Sequence, residues 1–271
     1  MGIAGKSYIT YNIFEQYPEV KAFSTTRHGG CSEGNYASMN CTPYTGDSPE
    51  AVQRNLSLLC NTLGCLPEQM VIPYQTHGTE SLVIDKAFLH LSADLRRERL
   101  QGIDALITSE PDVCLCISTA DCIPILLHDH THQVIAAVHA GWRGTAQRIL
   151  WKTLVTMAKR YGTTGQDLTA VIGPGISAQA YQVGSDVYEA FEEQHFDMRL
   201  IARPPHILFK CRIDLPLANA IQLYDFGVPR EQVMQSGICT YSHPEEFFSA
   251  RRLGILSGRI LNGIMITPEK Q

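Results

Sequence analysis

The sequence predicts an α+β fold in one domain, with mixed β-sheets and helices packed outside them. Three observations carry this. Nine strand-like segments come in adjacent pairs as well as alternating with helices, which argues against a purely doubly wound sheet. Several of them are apolar on both faces, as strands buried on both sides must be. Turns are short and evenly spread, with no internal repeat, low-complexity run or Pro/Ser-rich linker, so residues 1–271 read as a single domain.

In chain order, Val20–Thr26 is the first strand signal. Asp47-Ser48-Pro49-Glu50 starts a helix, with a capping side chain followed by Pro at the first helical position. Val52, Leu56, Leu59 and Leu63 continue it at helical spacing, and Gly64 ends it. Met70–Thr76 and Ser81–Ile84 follow as strands. Lys86–Gln101, charged and helix-prone, reads as a surface excursion before the strand Asp104–Thr108. Val113–Thr119, Ile123–Leu127 and Val134–His139 come next, the last two apolar throughout. Ala146, Ile149, Leu150, Leu154, Met157, Ala158 and Tyr161 form one helical stripe closed by Gly162. Leu168–Ile172 and Arg259–Ile266 complete the strands, with weaker helix starts near Ser185 and Asp214.

Composition narrows the function. The chain has 22 Lys and Arg against 27 Asp and Glu, a net charge of −5 and a pI near 6.0, a poor footing for binding nucleic acid or anionic membranes. No apolar run approaches the ~20 residues of a membrane span. Met1–Thr10 does not read as a signal peptide, so the nine cysteines read as reduced thiols of a cytoplasmic protein.

Chemistry concentrates at strand ends. Cys122 precedes one buried strand and His139 ends the next, so the hairpin between them brings the two together. His77 follows the strand Met70–Thr76. A thiolate and two imidazoles make a zinc ligand set that leaves the fourth position open, the pattern of a catalytic ion. On spacing alone, a small packed thiol and two loop histidines are the more economical reading. His128-Asp129-His130-Thr131-His132 reads as a solvated turn, Cys114-Leu115-Cys116 as a packed sheet face, and the Arg251, Arg252, Arg259 cluster as a solvated face. Arg143, opening a helix behind glycines, and Arg27 in Thr25-Thr26-Arg27-His28-Gly29-Gly30 are candidate anion sites.

Several blocks then resemble one family. They are Thr26-Arg27-His28-Gly29-Gly30, Ser38-Met39-Asn40, Gln75-Thr76-His77-Gly78, Ala120-Asp121-Cys122-Ile123-Pro124, His139-Ala140-Gly141-Trp142-Arg143-Gly144, Ile172-Gly173-Pro174, and Phe247-Phe248-Ser249 with Arg251-Arg252. In this order the chain resembles the laccase-domain family, also called multicopper polyphenol oxidase-like or peptidoglycan editing factor-like proteins, which includes purine nucleoside phosphorylases. The resemblance implies two central sheets flanked by helices in α/β/β/α layers, and a zinc held by His77, Cys122 and His139. It also implies phosphorolysis of adenosine, inosine and methylthioadenosine, with adenosine deamination at the same site. The expected partners are therefore a nucleoside and inorganic phosphate. Arg27, His28, Asn40 and Arg143 are the expected substrate and phosphate contacts. Copper-dependent phenol oxidation is ranked low, because one three-ligand site does not make a multicopper centre. A cysteine hydrolase using Cys122 and His139, an editing enzyme for cell-wall precursors, and a non-enzymatic metal-binding module stand as alternatives. The chain departs from the family pattern at Gln182, where relatives carry Glu, and at Ala250, where they carry an aromatic ring.

Overall fold

The computed structural model describes residues 5–203 and 210–267, so Met1–Ala4 of the N-terminal stretch lie outside it. In chain order the strands are β1 (Tyr8–Thr10), β2 (Val20–Thr25), β3 (Met70–Val71), β4 (Ser81–Val83), β5 (Ala105–Thr108), β6 (Cys114–Thr119), β7 (Ile123–Asp129), β8 (Val134–Ala140), β9 (Leu168–Ile172), β10 (Gln182–Val183), β11 (Ala202–Arg203), β12 (Cys211–Ile213), β13 (Val233–Gln235) and β14 (Ile260–Ile266). The helices are α1 (Pro49–Leu63), α2 (Lys86–Leu89), α3 (Ala93–Arg99), α4 (Trp142–Ala146), α5 (Ile149–Tyr161), α6 (Ser185–Glu193), α7 (Met198–Ile201), α8 (Leu215–Asp225) and α9 (Ala250–Leu253).

Two mixed sheets dominate. One has the order β1-β2-β14-β6-β3 and the other β13-β9-β7-β8-β5-β4; a small third sheet pairs β10, β12 and β11. Period-2 alternation explains the layering. Ile123, Ile125 and Leu127 of β7, with Val134, Ala136 and Val138 of β8, face α5, α6 and α8. Their neighbours Leu126, Ile135 and Ala137 face Leu115, Ile117 and Ile264 of the other sheet. Beyond that sheet, Cys114, Cys116, Leu261 and Met265 pack on Leu56 and Leu59 of α1. The layers are therefore helix, sheet, sheet, helix. Each wholly buried Leu or Ile at these interfaces contributes about 1.5–3 kcal/mol.

The elements that set the site form for local reasons. Ser48 caps α1 by accepting from Ala51 N, and Gly64 closes it at φ 68°. The stripe from Ala146 to Tyr161 is two helices rather than one. Arg148 sits at φ 63° between α4 and α5, its Nη2 donating to Gln194 O (2.9 Å) and its guanidinium over the Phe196 ring. The break lets α4 lie against the His77 loop, where Gly144 approaches Gly78 O so closely that a Cβ would stand 3.0 Å away. β3 is also shorter than expected. After Val71 the chain forms a single bridge, Tyr74 to Gln101, and then turns into a loop. Five short strands escape the sequence pattern (β1, β10, β11, β12 and β13), because two or three residues show no period.

The turn between β7 and β8 lies further along than expected. His128 and Asp129 are strand residues with no exposure, and only the following residues turn. Asp129 Oδ1 accepts from Thr131 N and His132 N, which closes the hairpin.

Candidate metal centre and its cavity

The β7–β8 register places Pro124 opposite His139 and Ile123 opposite Ala140. Cys122 is two residues before Pro124, so it shares the inter-sheet face with His139. His77 arrives from the loop after β3, with φ 62°, a left-handed conformation uncommon for a non-glycine residue. The Cys122 Sγ and one nitrogen from each imidazole all lie within 4.8 Å of one another. The two rings meet edge to face at 4.8 Å.

Gly141 makes this convergence possible. A Cβ there would stand 2.9 Å from His77 Cδ2, 3.1 Å from Cys122 Sγ and 3.8 Å from His139 Cε1. All three ligand residues close over that one backbone position.

Asp104 holds the arrangement. It is wholly buried at the start of β5. Its carboxylate accepts from Thr76 N (3.2 Å), His77 N (3.1 Å) and Gly78 N (2.7 Å), fixing the His77 loop, and pairs with His139 Nδ1 at 2.7 Å. With Nδ1 held, His139 presents Nε2 to the cavity. Burial raises the Asp104 pKa, but His139 and the loop amides outweigh it and hold the carboxyl below its ordinary value. Burial likewise pushes the Cys122 thiol up, and His139 and His77 bring it down to about 6. Against its own burial, His139 is raised to about 9 by Cys122 and Asp104. A thiolate beside two imidazoles, one oriented by a carboxylate, suits a borderline-soft divalent ion.

Asp121 anchors the other side of Cys122. At φ 80° its carboxylate accepts from Thr240 Oγ1 (2.7 Å), Ser249 Oγ (3.0 Å) and Arg251 N (2.7 Å). The Gln75 side chain pairs with β6 as a strand would, donating to Ser118 O (2.9 Å) and accepting from Ser118 N (2.7 Å).

The triad opens into a cavity of about 250 Å³ whose lining includes Thr42, Tyr44, Tyr74, Ser118 and Arg259. Tyr44 and Tyr74 meet edge to face at 5.1 Å and are both exposed. Ala250 also lines the cavity. At Gln182 it is the backbone carbonyl that takes Arg251, while the residue itself is exposed.

The four expected substrate and phosphate contacts do not line this cavity. Arg27 donates from Nε to Ala37 O (2.9 Å) and from Nη1 to Pro244 O (2.6 Å), and stacks over Phe248, so it ties loops together. His28 pairs with Glu246 at 3.0 Å. Asn40 is wholly buried; its Nδ2 donates to Thr45 Oγ1 and Asp47 Oδ2, and its Oδ1 accepts from Arg259 N. Arg143 lies over Trp142 at 4.2 Å; burial and Cys122 push the Tyr181 hydroxyl up, and Arg251 and Arg143 oppose them.

Three residues escaped the sequence. Asp104 left one signal, a carboxylate opening a strand buried on both faces. Asp121 stands beside Cys122, with nothing to mark its partners. Arg259 belonged to a basic cluster expected on a solvated face. Arg251 and Arg252 are exposed as expected, lying over Tyr181 and Tyr241, whereas Arg259 is half-buried and enters the cavity.

A second cluster, Asp129, His132 and Asp167, also gathers its ligand atoms within 4.8 Å. Its oxygens are committed elsewhere: Asp167 Oδ2 accepts from Thr164 N and Oγ1, and Oδ1 from Thr131 Oγ1.

A family model described as multi-copper polyphenol oxidoreductase laccase matches residues 21–267. A purine nucleoside phosphorylase of Bacteroides thetaiotaomicron is 54% identical over 261 residues, covering 96% of this chain and 97% of that protein. Adenosine deaminase RL5, from an unknown prokaryotic organism, is 39% identical over 246 residues, covering 90% and 93%. Among solved structures, YfiH of Bacillus licheniformis superposes with a TM-score of 0.90 at 26% identity, covering 98% of each chain.

Proposed function

The chain belongs to the multi-copper polyphenol oxidoreductase laccase family, and on that premise we propose that it is a zinc-dependent purine nucleoside phosphorylase. Its substrates are adenosine, inosine and methylthioadenosine, and it deaminates adenosine at the same site. Residues 1–271 act as one catalytic domain. The observation that carries this reading is the three-ligand set His77, Cys122 and His139 at the wall of a nucleoside-sized cavity. The names of the two relatives above point the same way.

In phosphorolysis a phosphate oxygen bonds to C1′ of the ribose and the C1′–N9 bond breaks. Its electron pair leaves with the purine, which takes up a proton. In deamination water displaces ammonia from C6 of adenine. His77, Cys122 and His139 would hold the zinc. A zinc ion there supplies Lewis-acid chemistry, polarising a substrate atom or making water nucleophilic at neutral pH. Asp104 keeps the proton on His139 Nδ1, so that Nε2 stays free to bind. Tyr44 and Tyr74 offer the base a ring surface. Arg143 remains a candidate anion contact from the Tyr181 side, and Asn40 acts by fixing the backbone of Arg259.

One geometric feature favours a second reading. Cys122, His139 and Asp104 line up as nucleophile, base and orienting carboxylate of a cysteine hydrolase, with cell-wall precursors as one substrate class. The second imidazole, His77, is what that chemistry does not need and a metal does. Among the described residues, the several clustered histidine sites that copper-dependent phenol oxidation requires do not occur.

The test is product analysis. Inosine with phosphate should give hypoxanthine and ribose 1-phosphate, and adenosine alone should give inosine and ammonia. A chelator should abolish both. Activation by a chelator, with turnover of cell-wall precursors, would favour the hydrolase. No turnover of any nucleoside would leave a metal-binding module.

A further inference from the structure

The cavity holds a cation that forms no ion pair among the described residues. Arg259 is half-buried where β14 begins, and among the described residues no carboxylate pairs with it. Burial pulls its pKa down, against the attraction of Cys122, Asp121 and Tyr36.

The guanidinium is held from behind. Nη1 donates to Ser257 O (2.7 Å), Ser257 Oγ (3.2 Å) and Gly258 O (3.0 Å), and Nη2 donates to Ile255 O (2.9 Å). Its backbone N donates to Asn40 Oδ1 (3.1 Å), so the residue is fixed at both ends. Among the described residues, Nε and the second Nη2 hydrogen meet no acceptor. Nε–H belongs to the guanidinium edge that, with Nη2, bridges two oxygens of a phosphate. The wall beside Arg259 carries hydroxyls. Ser118 Oγ donates to Thr42 Oγ1 (2.9 Å), which leaves the Thr42 proton free for a further acceptor.

We propose that Arg259, with Thr42, seats the attacking inorganic phosphate, in place of Arg27, His28 or Arg143. The inference rests on the phosphorolysis reading and adds to it where the second substrate sits.

The experiment compares two reactions in one preparation. With inosine saturating, Arg259→Gln should raise the phosphate KM roughly 10- to 100-fold, the loss of a charged hydrogen-bonded pair. Adenosine deamination consumes water and no phosphate, so it should fall far less, with metal content unchanged. Arg259→Lys should recover part of the phosphate affinity, because it restores the charge without the fork. Equal loss of both reactions, or loss of metal, would make Arg259 a structural residue and overturn the proposal. So would a phosphate KM that responds to Arg143→Gln and not to Arg259→Gln. Should Arg259→Gln not fold, Thr42→Val is read in the same way. Calorimetry with inorganic phosphate separates the two claims. Binding lost in Arg259→Gln, in a protein that turns over no nucleoside, supports the phosphate seat and refutes the phosphorylase reading. Binding that Arg259→Gln leaves unchanged overturns the seat.

Discussion

The two ends of the β7–β8 hairpin carry histidines on the same face of the same sheet and put them to opposite uses. At one end His139 stands opposite Pro124, beside Cys122, with its Nδ1 held by Asp104. At the other, His128 stands opposite Ile135, packed between Phe14 and Tyr17, and neither ring nitrogen has a partner among the described residues. Both are buried, and both come from a strand of apolar residues. The difference is the third element. At the Cys122 end a loop after β3 of the other sheet brings His77, and a buried carboxylate ties that loop to His139. At the far end the rings of Phe14 and Tyr17 arrive, and among the described residues nothing bonds either nitrogen. A buried histidine becomes a ligand when something holds its other nitrogen, and otherwise it is a neutral ring in the core.

Four substitutions sharpen or break this contrast, from the largest effect to the smallest. Cys122→Ala should remove the metal and both nucleoside reactions together, measured by metal analysis and product assay. Gly141→Ala should place a methyl against His77 and Cys122 and cost up to about 100-fold in kcat/KM, the effect of a small misplacement, while circular dichroism stays native. Asp104→Asn should weaken metal affinity by about 10- to 100-fold, read by competition with a chelator. A variant that bound metal as tightly as the parent would show that Asp104 does not orient His139.

His128→Phe should leave activity at neutral pH unchanged and alter only the acid limb of stability. Burial lowers the His128 pKa to about 4, below its ordinary value. The folded chain keeps it neutral while the unfolded chain takes up a proton, so stability falls as the pH drops from the ordinary histidine value towards 4. The whole effect is roughly 3 kcal/mol. Urea unfolding at neutral and acidic pH should show the variant gaining on the parent in acid. A parallel fall in both would mean that His128 titrates normally in the fold.

Long patterns made much of this legible. The apolar runs of β7 and β8, the α1 cap and the α5 stripe are visible because many residues repeat one period. His77, Cys122 and His139 were visible as residues at strand ends, and the family blocks picked them out from other histidines and thiols. Buried polar partners were not legible. Asp104 earns its place through four hydrogen bonds to residues 26–35 positions away. Arg259 is distinguished from Arg251 and Arg252 only by the direction in which the β14 entry turns. Arg27 and His28 had the composition of an anion site, but their donors answer to backbone carbonyls and Glu246. His128 looked like a turn because its neighbours are polar, yet the strand runs one residue past it.

The central claim is that the Cys122 end of the hairpin is a metal centre that performs nucleoside chemistry. The most direct measurement is the metal content of the purified chain, followed through chelation and re-addition of zinc, with inosine phosphorolysis assayed at each step. The account predicts one zinc per chain, activity that disappears with the metal and activity that returns with it. Full phosphorolysis by protein stripped of metal would contradict it.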